Sequence, residues 1–189
     1  MVVRKRVALA ASAALALGGL TAALTPAQAA PAGDTQAAAV SYYLKFDKGT
    51  NTNSKLYLIK KSGSTETKLA SYRAGSGVIT NPCATGQGWL PNGTYTIKAY
   101  HTKYNGSLIK GYAFQLSDKK CSNGTKRTEL FIHSEMTKNG GQGTTEPTRW
   151  DGNSDYKSAG CIKLKPADIK SLYTKAKNVG FPTSLKVVS

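Results

Sequence analysis

The stretch SAGCIKLKPADI, residues 158–169, contains a glycine–cysteine pair, a short apolar segment and a proline that suits the first turn of a helix. After Pro166, apolar residues recur at helical spacing, at positions 169, 172, 173, 176 and 179. Asp168 suits the positive end of the helix dipole, and Gly180 with Pro182 ends the pattern. The sequence therefore predicts one amphipathic helix that begins shortly after Cys161.

Most of the remaining sequence is typical of β-strands. Short segments rich in aromatic and β-branched residues are separated by glycine and asparagine. The predicted strands are Tyr42–Phe46, Leu56–Ile59, Thr94–Tyr100, Tyr112–Leu116, Glu129–His133 and a final strand at Ser184–Val188. With no internal repeat, they indicate a mainly β fold: a single β-rich, sandwich-like or barrel-like domain with one main helix.

The N-terminus has the three parts of a secretory signal peptide. Residues 4–6 are basic, residues 7–24 form an apolar run, and residues 25–29 end in small side chains. Cleavage is expected after Ala29, with Ala30 as the alternative. A retained anchor is the competing interpretation, but the run is short of the roughly 20 residues of a spanning helix. We therefore expect a secreted product without a stable membrane anchor: a signal at 1–29, a flexible lead-in at 30–40 and one domain at 41–189.

The chain is strongly basic. Its formal net charge is +16, and removal of residues 1–29 leaves 23 basic and 10 acidic residues, or +13. Such a charge attracts polyanions such as nucleic acid, an anionic cell wall or acidic lipid. Since no run of consecutive basic residues concentrates the charge, a solvated surface is an equally simple interpretation. The charge alone identifies no partner.

Three cysteines are an odd number for an exported chain. Outside the cell most cysteines pair, so one unpaired thiol requires an explanation. Cys83 and Cys121 both lie in polar loop sequence, and we predict that they form the disulfide. A bond from either of them to Cys161 is the alternative, and it would leave an exposed loop thiol of no evident use. We therefore predict that Cys161 is the free thiol.

The setting of Cys161 indicates a nucleophile. A thiol attacks carbonyl groups as the thiolate, so it needs a neighbouring base, and His133 ends an apolar strand earlier in the chain. Gly160 permits a tight turn whose amides could bind a developing oxyanion. Residues 134–157, which join the two elements, form a long Gly-rich segment that we interpret as a lid or substrate-binding loop. A core cysteine beside a core histidine is the competing interpretation.

At these residues the chain resembles the L,D-transpeptidase catalytic domain of the YkuD type. The family has a histidine at a strand end, then a Ser/Thr-x-Gly-Cys-aliphatic-Arg/Asn block followed by a helix. Here the matching residues are His133 and Ser158 to Lys163, with Lys in the last position and Ala159 where many members have a polar residue. Residues 72–77 and 90–95 give a weaker match to a strand-ending glycine and a Pro-x-Gly-x-Tyr segment. The resemblance covers about residues 41–189.

The resemblance implies a catalytic group and a substrate. Cys161 would attack the third residue of a peptidoglycan tetrapeptide stem and release D-Ala, His133 would carry the proton, and amides at Gly160 and Cys161 would hold the oxyanion. Ser158 belongs to the same block. The thioester would pass to an amine, giving a cross-link, or to water, giving carboxypeptidase activity. Both acceptors remain open at this point.

Further residues are candidates for substrate contact. Lys163 follows the nucleophile with a positive charge. Trp89 and Trp150 lie in loops flanking the predicted site, where contact with sugar or peptide and simple loop packing are alternatives. Peptidoglycan stem peptides are the expected partner, anionic wall polymers are a possible one, and we expect a monomer without nucleic acid.

Two other classes of function compete with this prediction. A small secreted ribonuclease would use His101 and His133 as acid and base with Glu135 as a helper, but it would leave Cys161 without a role. A non-enzymatic wall-binding protein would use tyrosines on sugars and would tolerate loss of Cys161. We predict no metal site and no cofactor, because no histidines and cysteines occur at ligand spacing.

Overall fold

Alternating apolar residues of the first two strands build the centre of the core. The protein is described here by a computed structural model covering residues 39–189. Leu44 and Phe46 pair in register with Leu58 and Leu56 on the neighbouring strand, and all four side chains are buried. At the other edge of the first strand, Leu44 and Phe46 pair with Leu185 and Val187 of the last strand. Because strand residues alternate between faces, this register puts one apolar face inside.

Of the ten strands found among residues 39–189, eight close into a barrel. Its order is β1-β10-β4-β5-β8-β9-β3-β2, with β6 and β7 forming a separate two-stranded hairpin. The strands are β1 (Val40–Asp47), β2 (Ser54–Ser62), β3 (Thr65–Ser76), β4 (Gly93–Asn105), β5 (Lys110–Leu116), β6 (Lys119–Lys120), β7 (Lys126–Arg127), β8 (Phe131–His133), β9 (Ile162–Lys163) and β10 (Ser184–Val188). Two neighbouring pairs, β1 with β10 and β8 with β9, are parallel. The mainly β, barrel-like prediction is confirmed.

In the described part of the chain, one α-helix, α1 (Pro166–Asn178), packs on the barrel. Its buried residues Ile169, Leu172 and Ala176 are members of the apolar set that predicted it. Proline occupies the first turn, Asp168 lies in that turn, and two lysines lie in the last turn, as the helix dipole favours. Two 3-10 helices, Glu146–Thr148 and Ser154–Tyr156, lie in the long segment between β8 and β9.

Two strand predictions differ from the structure. The strand predicted at Glu129–His133 begins only at Phe131, because Glu129 has a φ of 54°, which departs from the extended backbone of a strand. For β3, the weak family match at residues 72–77 indicated only the end of the strand. Its first five residues, 65–69, are exposed and largely polar, so they show no apolar alternation.

The N-terminal predictions concern residues outside those described. The signal at 1–29 and the lead-in up to residue 38 belong to that part of the chain, while Val40 already begins β1. Among residues 39–189, no helix has the length and apolar character needed to cross a membrane.

Cys83 and Cys121 form a disulfide that links the loop after β3 to the β6–β7 hairpin, with their Cα atoms 5.6 Å apart. Within residues 39–189, Cys161 is the free cysteine, and it is buried. The chain segment closed by this bond has a sequence separation of 38 residues. A cross-link of this span restricts the unfolded chain and thereby stabilises the fold.

We expect the Cys83→Ser/Cys121→Ser double variant to lose about 4 kcal/mol of unfolding free energy in the entropic account of such a loop. Urea unfolding of the variant and of the unreduced wild type measures the difference. Each single variant should lose about as much, because either change opens the loop. A loss below about 1 kcal/mol would show that the disulfide contributes little to stability.

Candidate active site

The parallel pairing of β8 and β9 brings the predicted nucleophile and base to one face of the barrel. Ile132 pairs with Ile162 and His133 with Lys163. Alternate residues of a strand share a face, so His133 lies on the face of Lys163, and Cys161, two residues before Lys163, also belongs to it. Both predicted catalytic side chains line a cavity of about 560 Å³. The sequence separates them by 28 positions, and the register alone brings them together.

Cys161 is a buried neutral thiol in this state. Its side chain is 8% exposed, and Sγ lies 3.5 Å from the Glu129 carbonyl oxygen, to which the thiol donates. Burial raises the pKa of Cys161 to about 11, although the Phe131 N–H and the charges of Lys163 and Arg127 act to lower it. At neutral pH the thiol is therefore protonated, and it needs a base before it can attack a carbonyl group.

His133 is neutral, and its tautomer is fixed. Its Nδ1 lies 3.0 Å from the Ser134 carbonyl oxygen, which can only accept, so Nδ1 carries the proton. Nε2 is thereby left as an acceptor. Burial, with a smaller effect of the Lys163 charge, lowers the pKa of His133 to about 3. No hydrogen bond joins Cys161 to His133 here, and such bonds often form only when substrate is bound.

Ser158 shapes the turn that precedes the nucleophile. Its Oγ accepts hydrogen bonds from the N–H groups of Gly77 at 3.0 Å and Gly160 at 3.1 Å. The same hydroxyl donates to the Cys161 carbonyl at 2.7 Å. A single side chain thus closes the turn and ties it to the end of β3.

One detail of the oxyanion prediction is wrong. The Gly160 N–H donates to Ser158 Oγ, so it is not free to bind an oxyanion. No hydrogen bond within residues 39–189 uses the Cys161 N–H, which remains the candidate donor. Gly160 has a φ of 125°, a conformation that side chains disfavour, so glycine is required there by the backbone.

Lys163 lies in the cavity but is already paired. Its Nζ forms an ion pair with Glu135 Oε1, and the two side chains are only 13% and 8% exposed. Burial raises the pKa of Glu135, and the Lys163 ammonium opposes that effect. The pair places a positive charge beside His133, which keeps the imidazole neutral. A direct role of Lys163 in substrate contact would require it to leave Glu135.

Three carboxylates, those of Glu135, Glu146 and Asp155, can present oxygens within 4.8 Å of one another. Each of them already has partners in the protein. Glu135 pairs with Lys163, Glu146 pairs with Arg149, and Asp155 accepts two backbone N–H groups. Of these contacts, the Glu135–Lys163 ion pair joins the segment between β8 and β9 to β9, while the other two lie within the segment.

That segment is packed against the domain at both of its ends. Met136 is fully buried, and Asp155 and Tyr156 are buried at its other end. Glu146 and Pro147, in the first 3-10 helix, line the cavity. The segment therefore borders the cleft, as expected of a substrate-binding loop, and its mobility as a lid stays a prediction.

Three aromatic residues named from the sequence do not line this cavity. Trp89 packs under the Lys48 ammonium, which lies 5.1 Å from the ring centroid. Trp150 packs edge-on against Tyr156 with ring centroids 4.8 Å apart. His101 lies against Tyr104, with ring centroids 5.0 Å apart. The structure places both half-buried tryptophans in loop packing outside this cavity, and their contact with substrate stays a prediction.

Other cavity residues gave no signal in the sequence. The β4–β5 hairpin contributes Tyr104, Leu108 and Ile109, and Leu108 is 70% exposed at its tip. Arg127 enters from the β6–β7 hairpin, and Glu129 lies beside the thiol. These residues reach the site through hairpins distant in sequence from the Cys161 block, so only the folded chain reveals them.

Comparison with known proteins agrees with this geometry. The sequence model of the YkuD family, the L,D-transpeptidase catalytic domain, matches residues 56–187. Among curated proteins, none gives a significant match.

Similar folds occur among solved structures. Two structures of the helical cell shape determining protein Pgp2 from Campylobacter jejuni, one of them a point mutant, align with TM-scores of 0.51 and 0.53. Their identities are 16% and 15%, over 82% of this chain and 51% of theirs. Bd1075 from Bdellovibrio bacteriovorus aligns with a TM-score of 0.49 at 19% identity, over 78% of this chain and 47% of its own. The chain thus spans about half the length of the structures it matches.

The buried neutral imidazole should make stability depend on pH. The pKa of His133, about 3 in the fold, lies below its ordinary value of 6.5. The unfolded chain therefore takes up this proton first, and the free energy of unfolding should fall as pH drops from 6.5 towards 3. The contribution is about 1.4 kcal/mol per pH unit.

Urea unfolding across that range, compared between wild type and His133→Gln, isolates this contribution from that of the carboxylates. The His133→Gln variant should show a shallower slope. Equal slopes in wild type and His133→Gln would contradict the assignment of a buried neutral imidazole.

Proposed function

The chain belongs to the family of L,D-transpeptidase catalytic domains, and we propose that it is a secreted cysteine acyltransferase acting on peptidoglycan stem peptides. The observation that carries the proposal is the β8–β9 register, which places Cys161 and His133 on one wall of a single cavity. A free thiol, a neutral imidazole with an unprotonated Nε2 and an uncommitted amide are the parts that acyl transfer through a thioester requires.

Acylation begins with proton transfer. The thiol proton passes to His133 Nε2 as Sγ attacks the carbonyl carbon of the third stem residue. Because the pKa of the thiol lies far above that of the imidazole, the resting pair stays neutral, and the charges form only as the substrate reacts. The Cys161 N–H, which has no partner within residues 39–189, is placed to donate to the developing oxyanion.

The intermediate then collapses. The bond to the terminal D-Ala breaks, the imidazolium gives its proton to the departing amine, and a thioester remains on Cys161. In the second half-reaction an amine of a neighbouring stem, or water, attacks the thioester. His133 takes a proton from that nucleophile and returns it to the departing sulfur. The first acceptor gives a cross-link, and the second gives a shortened stem.

The charge of the chain suits this substrate. A net charge of +13 after loss of the predicted signal favours residence in an anionic wall, where long-range attraction concentrates the protein near its polymer. The export signal fits the same location. Both features support a secreted, wall-associated enzyme.

The competing functions have weaker support. A ribonuclease would need His101 beside His133, and His101 does not line the cavity. A wall-binding module that used tyrosines on sugars would leave the shared cavity of Cys161 and His133 without a role.

We expect Cys161→Ala to abolish release of D-Ala from defined tetrapeptide stems, because no other thiol is free within residues 39–189. Mass analysis of the products from the mature protein measures this and separates cross-linked from hydrolysed material. The control variant His101→Ala should retain wild-type turnover. Turnover that is retained in Cys161→Ala, or lost in His101→Ala, would contradict the proposed function.

A further inference from the structure

Arg127 is a buried cation without a carboxylate partner. Its side chain is 3% exposed, at the end of the short strand β7. None of the ion pairs found among residues 39–189 includes it. Burial of a charge is costly unless its donors are satisfied, so its hydrogen bonds must compensate.

The guanidinium instead binds four backbone carbonyl groups. Nη1 donates to Pro82 and, at 3.2 Å, to Trp89. Nη2 donates at 3.1 Å both to Gly88 and to Ala159. Three of these acceptors belong to the loop at residues 82–89, and the fourth lies two residues before Cys161. One side chain therefore bridges that loop and the turn that carries the nucleophile.

These contacts leave little of the guanidinium for a substrate. The two terminal nitrogens carry four N–H groups, and the four carbonyl oxygens account for all of them. A carboxylate-binding arginine would present this planar edge to its ligand. Arg127 presents it to the protein backbone, which indicates a structural action on the site rather than direct recognition.

The packing around Gly160 agrees with this. A Cβ at position 160 would collide with Arg127 Nη2, and the neighbouring contact would be the Gly88 carbonyl. The turn, the guanidinium and the loop are thus in close mutual contact. Ser158 joins the turn to the residue that follows β3, and Arg127 joins it to the loop at residues 82–89.

The disulfide joins two parts of the structure that Arg127 also connects, the loop at residues 82–89 and the β6–β7 hairpin. Cys83 follows Pro82, an acceptor of Arg127, and Cys121 begins the turn of the hairpin that carries Arg127. The bond therefore ties the loop to the hairpin at a point adjacent to the arginine contacts. The disulfide and the four hydrogen bonds of Arg127 therefore hold the same loop against the hairpin and the turn before Cys161.

We propose that Arg127 is a positioning residue that fixes the turn at residues 158–161 against the disulfide-closed loop at residues 82–89, so that the Cys161 sulfur and N–H face the cavity. This inference rests on the proposed role of Cys161 as nucleophile. An Arg127→Lys variant distinguishes the effect of geometry from the effect of charge. Lysine supplies a cation, but it cannot donate to four carbonyl groups as the planar guanidinium does.

Three variants test it: Arg127→Lys, Arg127→Met and, as a matched control, Lys120→Met. Lys120 is exposed in the same hairpin and does not line the cavity, so its loss removes an equal charge without touching the turn. The measurements are amide hydrogen exchange of peptides spanning 82–89 and 158–161, the pH profile of Cys161 alkylation by iodoacetamide, and kcat and KM for tetrapeptide stems.

Both Arg127 variants should exchange faster in the two peptides, with the barrel strands unchanged. Their kcat should fall about 100-fold, the order expected when reacting groups are displaced by about 1 Å, with KM within about threefold. The alkylation profile should move to higher pH in Arg127→Met and return to that of wild type in Arg127→Lys. Lys120→Met should match wild type in every measurement.

Two results would overturn the proposal. Wild-type kcat in Arg127→Lys would show that charge alone suffices, and unchanged exchange at 158–161 in Arg127→Met would show that the arginine does not hold the turn. Exchange and alkylation need no peptidoglycan substrate. If wild type releases no D-Ala, the proposed function fails, while the exchange data still decide whether Arg127 fixes the turn.

If the Arg127 variants do not fold, the Cys83→Ser/Cys121→Ser variant decides, because it keeps the arginine and frees the loop. We expect faster exchange in the peptides at 82–89 and 158–161 and in no others. This result supports the proposal that the loop holds the turn in place. Protection of 158–161 equal to that in wild type contradicts it.

Discussion

The parallel pairing of β8 with β9 is the constraint on which the site depends. Ile132 opposite Ile162 and His133 opposite Lys163 set which residues face the cavity. A slip of one residue would turn Cys161 or His133 away from it, because successive strand side chains point to opposite faces. Both isoleucines are fully buried, so the apolar core opposes such a slip. The stability of the barrel and the geometry of the nucleophile thus have the same origin.

Electrostatics then set the resting state of the pair. Burial favours the neutral form of both groups, with a raised pKa for Cys161 and a lowered one for His133. The Lys163–Glu135 ion pair places a cation beside the imidazole and strengthens that preference. A neutral thiol is a poor nucleophile, so the proposed reaction requires transfer of the thiol proton to His133 as the substrate binds. In the same state, Ser158 donates a hydrogen bond to the Cys161 carbonyl and Arg127 donates one to the Ala159 carbonyl. These bonds hold the turn that carries Cys161.

Local pattern was enough to predict the helix at Pro166, most of the barrel strands and the shared site of Cys161 and His133. These depend on periodicity and on a compact block around the nucleophile. The sequence could not predict the contacts of Arg127, because its acceptors are backbone carbonyls, which any residue carries. It also assigned the Gly160 amide to the oxyanion, whereas the Ser158 hydroxyl competes for that N–H within the turn. Such competition is visible only in three dimensions.

The central claim, a thioester on Cys161, is tested most directly by acid-quenching the wild-type protein with an excess of tetrapeptide stem and determining its intact and peptide masses. We expect an adduct equal to the stem less D-Ala, located on the peptide that contains Cys161 and absent from Cys161→Ala. An adduct on any other residue, or D-Ala released at an equal rate by Cys161→Ala, would contradict it.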